Sequence, residues 1–495
     1  MPGRPRWGIV ARMSEQTGST QEREVDVVVV GGGSTGENVA DRAHRGGLGE
    51  VVVVEDELVG GECSYWACMP SKALLRPTAA LAAARRVPGA AAAATGEVDV
   101  QAVLERRTSF TSDWDDSSQV EWVEGAGLEL LRGRARLDGE RRVVVTGADG
   151  GTTTLVARQA VVVAVGSTPT APPVDGLDGV RYWTSREATS SRSVPPRLLV
   201  LGAGVVGSEL ATAYRRLGSD VTLVAGSAVL SAFEPRAGEL VADALREEGV
   251  EVVTGPRASS VERDGDEGEV RLTLDDGRVL VGDELLVATG RRPQTGDLGL
   301  ETVGLEPGQA LDIDAAGQVR GVDGRWLYAA GDVTGLAPLT HMGKYAARAV
   351  GDVVAARARG EADGEPAPWS KHATTALHRA VTQVVFTDPE VASVGLTAQQ
   401  ARDAGLDVRV VELDIAVAGS SLQADGYTGW ACMVVDESRS VVVGVTFVGQ
   451  DVAELCQSAA VVVAGEVPLD RLWHAVPPYP TISEVWLRLL EAYGL

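Results

Sequence analysis

Two stretches of the chain repeat one pattern of apolar and polar positions. Residues 25–55 and 197–225 each contain an apolar run, a glycine-rich turn, a helical stretch and a second apolar run. Continuous Val and Leu runs are typical of strands that are buried on both faces of a parallel sheet. Each repeat therefore predicts a strand–helix–strand unit, and the chain contains two such units.

The glycine-rich turn of each repeat has the spacing GxGxxG. Such glycines permit a tight turn and let a pyrophosphate approach the backbone at the N-terminus of the following helix. Glycine turns without a nucleotide are the alternative, but two complete units in one chain favour two dinucleotide sites. The glycines of the first and second turns are Gly31, Gly33, Gly36, Gly202, Gly204 and Gly207.

The two units end differently. Glu55 ends the second strand of the first unit, where a carboxylate hydrogen-bonds a ribose diol. Ala225 ends the second unit, which therefore lacks both an acid for the diol and an arginine for a 2′-phosphate. Arg215 and Arg216 on the preceding helix are predicted to be within reach of such a phosphate. We therefore expect weak discrimination between NADH and NADPH.

A cysteine pair follows the first unit. Cys63 and Cys68 are separated by four residues in GGECSYWACMPSKALL, just before a predicted helix. A thiol pair beside a dinucleotide site suits dithiol–flavin chemistry, because the thiolate is the reactive form and a helix N-terminus lowers the pKa of a thiol. A zinc half-site would need partner ligands at suitable spacing, and none occurs. Two chance core cysteines are the other alternative.

Three further positions stand in conspicuous motifs. Lysine occurs only at positions 72, 344 and 371, and Lys72 lies inside the cysteine motif, where a plain surface lysine is the alternative. Short predicted strands end at Gly290 in ELLVATGRRP and before Asp332 in WLYAAGDVTG. Asp332 is suited to accept a hydrogen bond from a ribityl hydroxyl, and an ordinary aspartate in a turn is the alternative.

Length and charge narrow the classes of function. The chain of 495 residues is long enough for roughly three domains. Its net charge of -24 argues against a nucleic-acid partner. No apolar run is long enough for a membrane span, so we expect no membrane insertion and a cytoplasmic protein. Residues 1–23 lack the apolar core of a signal peptide and are predicted to be a disordered tail. We expect no bound metal.

Seven motifs in this order resemble the class I pyridine nucleotide–disulfide oxidoreductases: GGGSTG, GGECSYWACMPSK, GAGVVGSE, ATGRRP, AAGD, FTDPEVASVG and YPTISE. The resemblance runs from about residue 25 to the C-terminus. It implies an α/β fold with two Rossmann-like dinucleotide-binding domains, for FAD and NAD(P), and a C-terminal α+β dimerisation domain in a homodimer. The expected domains are a tail (1–23), an FAD domain in two parts (24–166 and 286–362), an NAD(P) domain (167–285) and a dimerisation domain (363–495).

The resemblance also implies roles for the thiols and their neighbours. Cys68 would face the flavin and form the charge-transfer thiolate, and Cys63 would attack the substrate. Lys72 would lie near the flavin and pair with Glu209 close to the nicotinamide.

The cofactor-binding positions follow in the same way. Glu55 and Asp332 would bind FAD through the adenosine ribose and the ribityl–phosphate region, and the backbone of Ala135 would touch the adenine. Gly290, with the glycines of the two turns, completes the expected cofactor contacts.

One motif departs from the family. The disulfide reductases of the family carry a His–Glu pair near the C-terminus, contributed to the partner subunit as acid and base. Here Tyr479 occupies the histidine position, while Glu484 is retained. A phenol with an ordinary pKa near 10 is a poor base at neutral pH. His474, five residues upstream, is a candidate substitute or simply a packed histidine.

Three functions are consistent with these features. The first is an FAD-dependent NAD(P)H oxidoreductase that passes electrons through a Cys63–Cys68 redox-active disulfide to a small-molecule acceptor, of disulfide type or related to it. The second is an NAD(P)H-dependent quinone, dye or metal-ion reductase in which the thiols are auxiliary, which Tyr479 favours. The third is a non-catalytic flavin redox sensor.

Overall fold

The computed structural model describes residues 21–495, which form 21 strands and 16 α-helices. The strands are β1 (Gln21–Val30), β2 (Val51–Glu55), β3 (Glu129–Arg132), β4 (Arg134–Leu137), β5 (Arg142–Thr146), β6 (Thr152–Val163), β7 (Ser167–Pro169), β8 (Arg197–Leu201), β9 (Asp220–Ala225), β10 (Glu251–Thr254), β11 (Ala258–Arg263), β12 (Val270–Leu274), β13 (Val279–Gly282), β14 (Glu284–Val287), β15 (Arg291–Pro293), β16 (Leu327–Ala329), β17 (Thr382–Val385), β18 (Glu390–Gly395), β19 (Val408–Asp414), β20 (Trp430–Asp436) and β21 (Val441–Gly449). The helices are α1 (Ser34–Arg45), α2 (Gly61–Tyr65), α3 (Cys68–Arg85), α4 (Ala90–Ala93), α5 (Val100–Phe110), α6 (Ser117–Gly125), α7 (Ser185–Ser190), α8 (Val205–Arg216), α9 (Pro235–Glu247), α10 (Thr340–Ala358), α11 (Ala376–Arg379), α12 (Ala398–Asp403), α13 (Ala418–Gln423), α14 (Leu455–Ala464), α15 (Leu469–Leu472) and α16 (Val485–Tyr493).

The first sheet is built around β1. Strands β3, β2, β1 and β6 lie side by side in parallel, and β16 adds to β6, while β5 and β4 extend the sheet in antiparallel fashion. Residues 27–30 are four consecutive valines that are buried between β2 and β6. The continuous apolar run thus forms a strand covered on both faces, as the sequence pattern predicts.

Strand β1 begins earlier than the sequence suggests. Residues 21–23, predicted to end a disordered tail, pair in parallel with residues 153–155 of β6. The long strand β6 provides the backbone partners for this extension. Because these partners lie more than a hundred residues away in the chain, the sequence around residue 21 does not indicate a strand there. The prediction of a tail is therefore wrong for residues 21–23, and the rest of the tail lies outside the described residues.

The second repeat forms a separate parallel sheet with the order β10-β9-β8-β14. Helices α8 and α9 lie between its strands in the chain, and an antiparallel sheet of β11, β12 and β13 adjoins it. Strand β7 pairs antiparallel with β15. The two connections between the first and second sheets therefore run side by side.

The C-terminal part folds around an antiparallel sheet with the order β17-β18-β21-β20-β19. Helices α14 and α16 cover it, and Phe447 packs edge-on against Trp486 with ring centroids 5.6 Å apart. Two parallel dinucleotide-type sheets followed by an α+β domain confirm the predicted fold class. In the described part of the chain, no helix is long and apolar enough to cross a membrane.

Candidate active site

The first glycine turn brings the start of α1 to the carboxyl edge of the first sheet. Gly31 has φ +101°, and a Cβ there would lie 2.6 Å from the carbonyl oxygen of Ala164. A Cβ on Gly36 would lie 1.8 Å from the carbonyl oxygen of Gly31. Gly33 caps α1 without a side-chain hydrogen bond, so the N–H groups of the first helical turn stay available for an anion.

Glu55 is held rigidly at the end of β2. Its Oε2 accepts a hydrogen bond from the Gly32 N–H at 2.7 Å, and its Oε1 accepts one from the Glu57 N–H at 2.8 Å. Burial raises the pKa of this carboxyl, and the two N–H donors oppose that rise. The carboxylate is therefore fixed beside the glycine turn, with lone pairs left for a ribose diol.

A single long cleft runs along the carboxyl edge of the first sheet. It brings together several of the predicted cofactor residues and one of the thiols, namely Gly31, Gly33, Glu55, Cys63, Ala135 and Asp332. Gly36 lies beneath the turn rather than on the cleft surface. The predicted residues of the second repeat and of the C-terminus do not line this cleft among the described residues.

Asp332 is positioned by residues that the sequence analysis missed. Its Oδ2 accepts a hydrogen bond from the Ser167 hydroxyl at 2.7 Å, and that hydroxyl accepts one from Arg291 Nε at 2.8 Å. Arg291 also approaches Glu62 Oε2 at 3.5 Å, but this buried oxygen accepts no hydrogen bond from a described residue. Arg291 lies in the ATGRRP motif, which could have pointed to it, whereas no local pattern marks Ser167.

A cation above an aromatic ring lies in the lining of the cleft. The Arg186 guanidinium lies 4.1 Å from the centre of the Trp66 ring and pairs with Glu57 and Glu62. Arg186 lies on α7, far from the cysteine motif in the chain, and no sequence signal pointed to it.

The two thiols lie at the junction of α2 and α3, and the structure describes both as free. Cys68 is the first residue of α3, and its Sγ lies 3.3 Å from the hydroxyl of Thr340, which begins α10. The hydrogen bond from the Cys63 thiol lowers the pKa of Cys68 to about 6 against the effect of burial, with further help from Thr340 and the charge of Lys72. The same hydrogen bond raises the pKa of Cys63. The pair therefore holds its negative charge on Cys68.

An ion pair connects the thiol helix to the second dinucleotide unit. Lys72, one turn after Cys68, places Nζ 2.7 Å from Oε2 of Glu209, a residue of α8 that is only 3% exposed. The other oxygen of Glu209 accepts a hydrogen bond from the Phe386 N–H at 3.0 Å. Nζ also lies 5.0 Å from the centre of the Phe386 ring. Three separate segments thus meet at one buried carboxylate.

The second glycine turn repeats the geometry of the first. Gly202 has φ +107°, and a Cβ there would lie 2.4 Å from the carbonyl oxygen of Ala288. A Cβ on Gly207 would lie 1.8 Å from the carbonyl oxygen of Gly202. Gly204 caps α8 without a side-chain hydrogen bond. Gly290, with φ +133°, lies in the connection that returns to the first sheet.

The prediction for Arg215 and Arg216 is wrong. Arg215 donates to the carbonyl oxygens of Glu248 and Ser219, and Arg216 pairs with the carboxylates of Glu248 and Asp388. Both guanidinium groups are therefore already paired, and the Arg216 side chain is largely buried. Neither is available for a phosphate at the end of β9.

The C-terminal candidates do not reach the cleft of their own chain. Tyr479 is 79% exposed, and Glu484 is buried, with Oε1 accepting from Arg488 at 2.5 Å. Glu484 Oε2 accepts no hydrogen bond from the described residues. His474 is exposed and stands apart from the cleft lining. Tyr479 is therefore accessible to solvent, whereas one oxygen of the Glu484 carboxylate is buried without a donor among the described residues.

Comparison with known proteins supports one family. Residues 25–360 match the family model described as pyridine nucleotide-disulphide oxidoreductase, and residues 381–489 match its dimerisation domain. The chain is 32% identical to a mercuric reductase of Streptomyces lividans, covering 93% of this chain and 94% of the relative. It is equally 32% identical to dihydrolipoyl dehydrogenase 2 of Haloarcula marismortui, with the same coverage of 93% and 94%.

Solved structures agree with this assignment. LpdA from Mycobacterium tuberculosis is 27% identical and superimposes with a TM-score of 0.79 over 95% of this chain and 100% of that chain. The flavoprotein disulfide reductase RclA from Escherichia coli, in its Cu(II) complex, is 21% identical and shares the fold with a TM-score of 0.78, over 95% of this chain and 99% of that chain. The match to the dimerisation domain supports the predicted homodimer. The chain therefore belongs to the pyridine nucleotide–disulphide oxidoreductase family, as an enzyme that binds FAD and takes its electrons from NAD(P)H.

Proposed function

We propose that this enzyme carries electrons from NAD(P)H to the Cys63–Cys68 pair and from there to a small-molecule acceptor, of disulfide type or related to it. The observation that carries the proposal is the asymmetry of the pair. The pKa of Cys68, at the N-terminus of α3, is lowered to about 6, while the pKa of its partner Cys63 is raised. A dithiol in which one sulfur holds the charge and the other stays protonated is suited to thiol–disulfide exchange.

The residues of the long cleft fit FAD. The uncapped start of α1 suits the pyrophosphate, the Glu55 carboxylate suits the adenosine ribose, and Asp332 suits the ribityl chain. The buried Glu62 Oε2 lacks a donor within the described chain and would accept one from the cofactor. When bound, FAD supplies two-electron chemistry between a nicotinamide and the thiol pair.

The chain's own residues have separate tasks in this scheme. In exchange with a disulfide acceptor, Cys63 gives up its proton and attacks one acceptor sulfur as a thiolate, and the displaced sulfur takes that proton and leaves as the first thiol. Cys68 then attacks Cys63, releases the second thiol and restores the Cys63–Cys68 disulfide. The balance is one NAD(P)H, one proton and one disulfide converted to NAD(P)⁺ and two thiols. Lys72 and Glu209 hold the start of α3 against α8, beside the second dinucleotide unit.

A second candidate acceptor is a quinone, a dye or a metal ion. The exposed Tyr479 favours it, because a phenol is a poor base for thiol protonation and electron transfer to a quinone needs none. Relatives named mercuric reductases make Hg(II) one acceptor to test. The hypothesis of a non-catalytic redox sensor is wrong, because the chain belongs to an enzyme family.

An acceptor screen with a cysteine variant tests the proposal. The FAD-loaded enzyme and Cys63→Ser would be assayed with NADPH or NADH against disulfides, quinones and Hg(II). We expect Cys63→Ser to abolish disulfide reduction. Cys456→Ser is the matched control, because the Cys456 thiol lies 3.8 Å from the Ser393 carbonyl oxygen, where a hydroxyl is tolerated. Full disulfide turnover by Cys63→Ser would contradict the proposal in favour of auxiliary thiols.

A further inference from the structure

The carboxyl ends of β9 and β10 lie side by side in the second sheet. Thr254 is the register partner of Ala225, and the Gly255 N–H donates to the Ala225 carbonyl oxygen at 3.1 Å. In a doubly wound sheet the dinucleotide lies beyond the carboxyl ends of the strands, and the end of the second strand faces the adenosine ribose. The residues after Ala225 and Thr254 therefore border the ribose together.

Arg257 occupies the space next to Gly226. A Cβ on Gly226 would lie 3.5 Å from Arg257 Cγ and 3.9 Å from its Nε. The side chain thus crosses beside the glycine, at the position where Ala225 and Gly226 provide no functional group of their own. Both distances are ordinary van der Waals contacts, so the Arg257 side chain packs directly against position 226.

The arginine there is not neutralised by a neighbour. Among the residues that the structure describes, none accepts a hydrogen bond from the Arg257 guanidinium, and no carboxylate lies within 4.0 Å of it. Asp275 contacts Arg257, but through the backbone N–H at 3.1 Å. In contrast, Arg215 and Arg216 on the nearby helix are both paired. A cation left open in a chain of net charge -24 is suited to an external anion.

The two strand ends contain no acidic residue. Residues 225–228 are Ala-Gly-Ser-Ala, and residues 254–257 are Thr-Gly-Pro-Arg. Ser227 is exposed beside Gly226. The two strand ends therefore offer one guanidinium and one hydroxyl donor to a ligand and contain no carboxylate of their own, while the neighbouring Asp275 carboxylate accepts from the Arg257 backbone N–H.

We propose that Arg257, together with Ser227, binds the 2′-phosphate of NADPH, so that the enzyme prefers NADPH to NADH. The inference rests on the proposed function, since it names the donor for that reaction. In place of weak discrimination between NADH and NADPH, we now expect a preference for NADPH that depends on Arg257. Arg257 acts here as a specificity-determining residue, remote from the thiols and from the transferred hydride.

Ligand binding tests the assignment without turnover. Calorimetric titration of the FAD-loaded enzyme with 2′-phospho-ADP-ribose and with ADP-ribose measures the phosphate's contribution. We expect at least tenfold tighter binding of the phosphorylated ligand, reduced to within about twofold in Arg257→Ala and largely kept in Arg257→Lys. Arg271→Ala, on β12 and paired with Glu269, is the control and should leave the ratio unchanged. Equal binding of both ligands by the unaltered enzyme would overturn the proposal.

Flavin reduction separates this inference from the proposed function. Under anaerobic conditions, Arg257→Ala should lower kcat/KM for NADPH at least tenfold and leave that for NADH within about twofold. In Gly226→Glu the new carboxylate lies beside Arg257 and the ribose diol, so the preference should turn to NADH. An equal loss with both nucleotides in Arg257→Ala would refute a role in specificity. Failure of both nucleotides to reduce the unaltered enzyme, with ligand preference intact, would instead refute the proposed function.

Discussion

Lys72 Nζ lies 2.7 Å from Glu209 Oε2, so a single ion pair joins the helix that begins at Cys68 to the helix of the second glycine turn. The remaining oxygen of Glu209 accepts from the Phe386 N–H, which comes from the dimerisation domain. The thiol site, the nucleotide unit and the dimerisation domain are therefore tied together at one buried carboxylate.

The two members of this pair should respond differently to neutral substitution. Lys72→Met leaves the Glu209 charge buried without a cation, so we expect the free energy of unfolding to fall by about 3 kcal/mol. This is the low end of the range for a broken buried ion pair, because 34% of the Lys72 side chain is exposed. Glu209→Gln keeps one acceptor oxygen and turns its amide NH2 towards the other donor, but it leaves no unpaired carboxylate buried, so it should cost less than Lys72→Met. Thermal unfolding of both variants measures the difference. Greater destabilisation by Glu209→Gln would contradict this account.

The thiolate at Cys68 sets a pH dependence in the reduced enzyme. Its pKa is lowered to about 6, so charge-transfer absorbance from this thiolate should persist down to about pH 6 and disappear below it. Because the folded pKa lies below that of the unfolded thiol, the thiolate stabilises the reduced fold above the unfolded pKa, and this contribution is lost as the pH falls towards 6.

The hydroxyl of Thr340 contributes to this low pKa. Thr340→Val removes the hydrogen bond to Cys68 and should move the absorbance titration to higher pH. Thr340→Ser retains a hydroxyl and is the control. A titration midpoint that is the same in Thr340→Val and in the unaltered enzyme would show that the hydroxyl does not stabilise the thiolate.

The glycine turns and the thiol pair were predictable from sequence, because residues close together in the chain determine their conformation. Both GxGxxG turns have the same close approach, with 1.8 Å from a hypothetical Cβ on Gly36 or Gly207 to a carbonyl oxygen of the turn. No other residue fits there, so the glycine spacing alone indicated two nucleotide turns. The thiol pair was recognisable because both cysteines lie in one short motif, and Glu55 because it ends the second strand of the strand–helix–strand unit that the glycine turn begins.

Contacts between distant segments were not predictable. Arg216 was expected to face a phosphate, but Glu248 and Asp388 pair with it, 32 and 172 residues away. Arg257 lies beside Gly226 only because β10 pairs in parallel with β9. Thr340 meets Cys68 across 272 residues. The pattern of apolar and polar residues predicts single helices and strands, but it does not say which distant segments come into contact in the folded protein.

The glycines of the first turn provide a matched test of FAD binding. Gly36→Ala would place Cβ 1.8 Å from the Gly31 carbonyl oxygen, so we expect the turn to distort and the purified protein to be colourless. At Gly33 an added Cβ would lie 3.8 Å from the nearest atom and φ is −70°, so Gly33→Ala should fold. The unaltered protein should be a yellow dimer with one FAD per chain. Absorbance per chain and light scattering measure both properties, and full FAD content in Gly36→Ala would contradict the assigned turn.

Tyr479 should limit disulfide reduction. General acid–base catalysis contributes about 10² to 10⁴ in rate, so disulfide turnover should be slower than quinone reduction by about that factor. Tyr479→His should raise it, because the substitution restores the His–Glu pair of the family's disulfide reductases, with Glu484 retained. Tyr479→Phe should leave quinone reduction nearly unchanged. Steady-state assays of both reactions test this.

Two results would contradict that role for Tyr479. One is rapid reduction of a simple disulfide by the unaltered enzyme. The other is loss of disulfide turnover in His474→Ala, which would make the exposed His474 the working base.

The most direct test of electron flow through the thiol pair is a count of free thiols before and after anaerobic addition of one equivalent of NADPH to the oxidised, FAD-loaded enzyme. Cys63 and Cys68 should appear as two additional thiols per chain under denaturing conditions, while Cys432 and Cys456 are free in both samples. Cys63→Ser should show no gain. Complete oxidation of NADPH by the unaltered enzyme without a gain of two thiols would contradict the account.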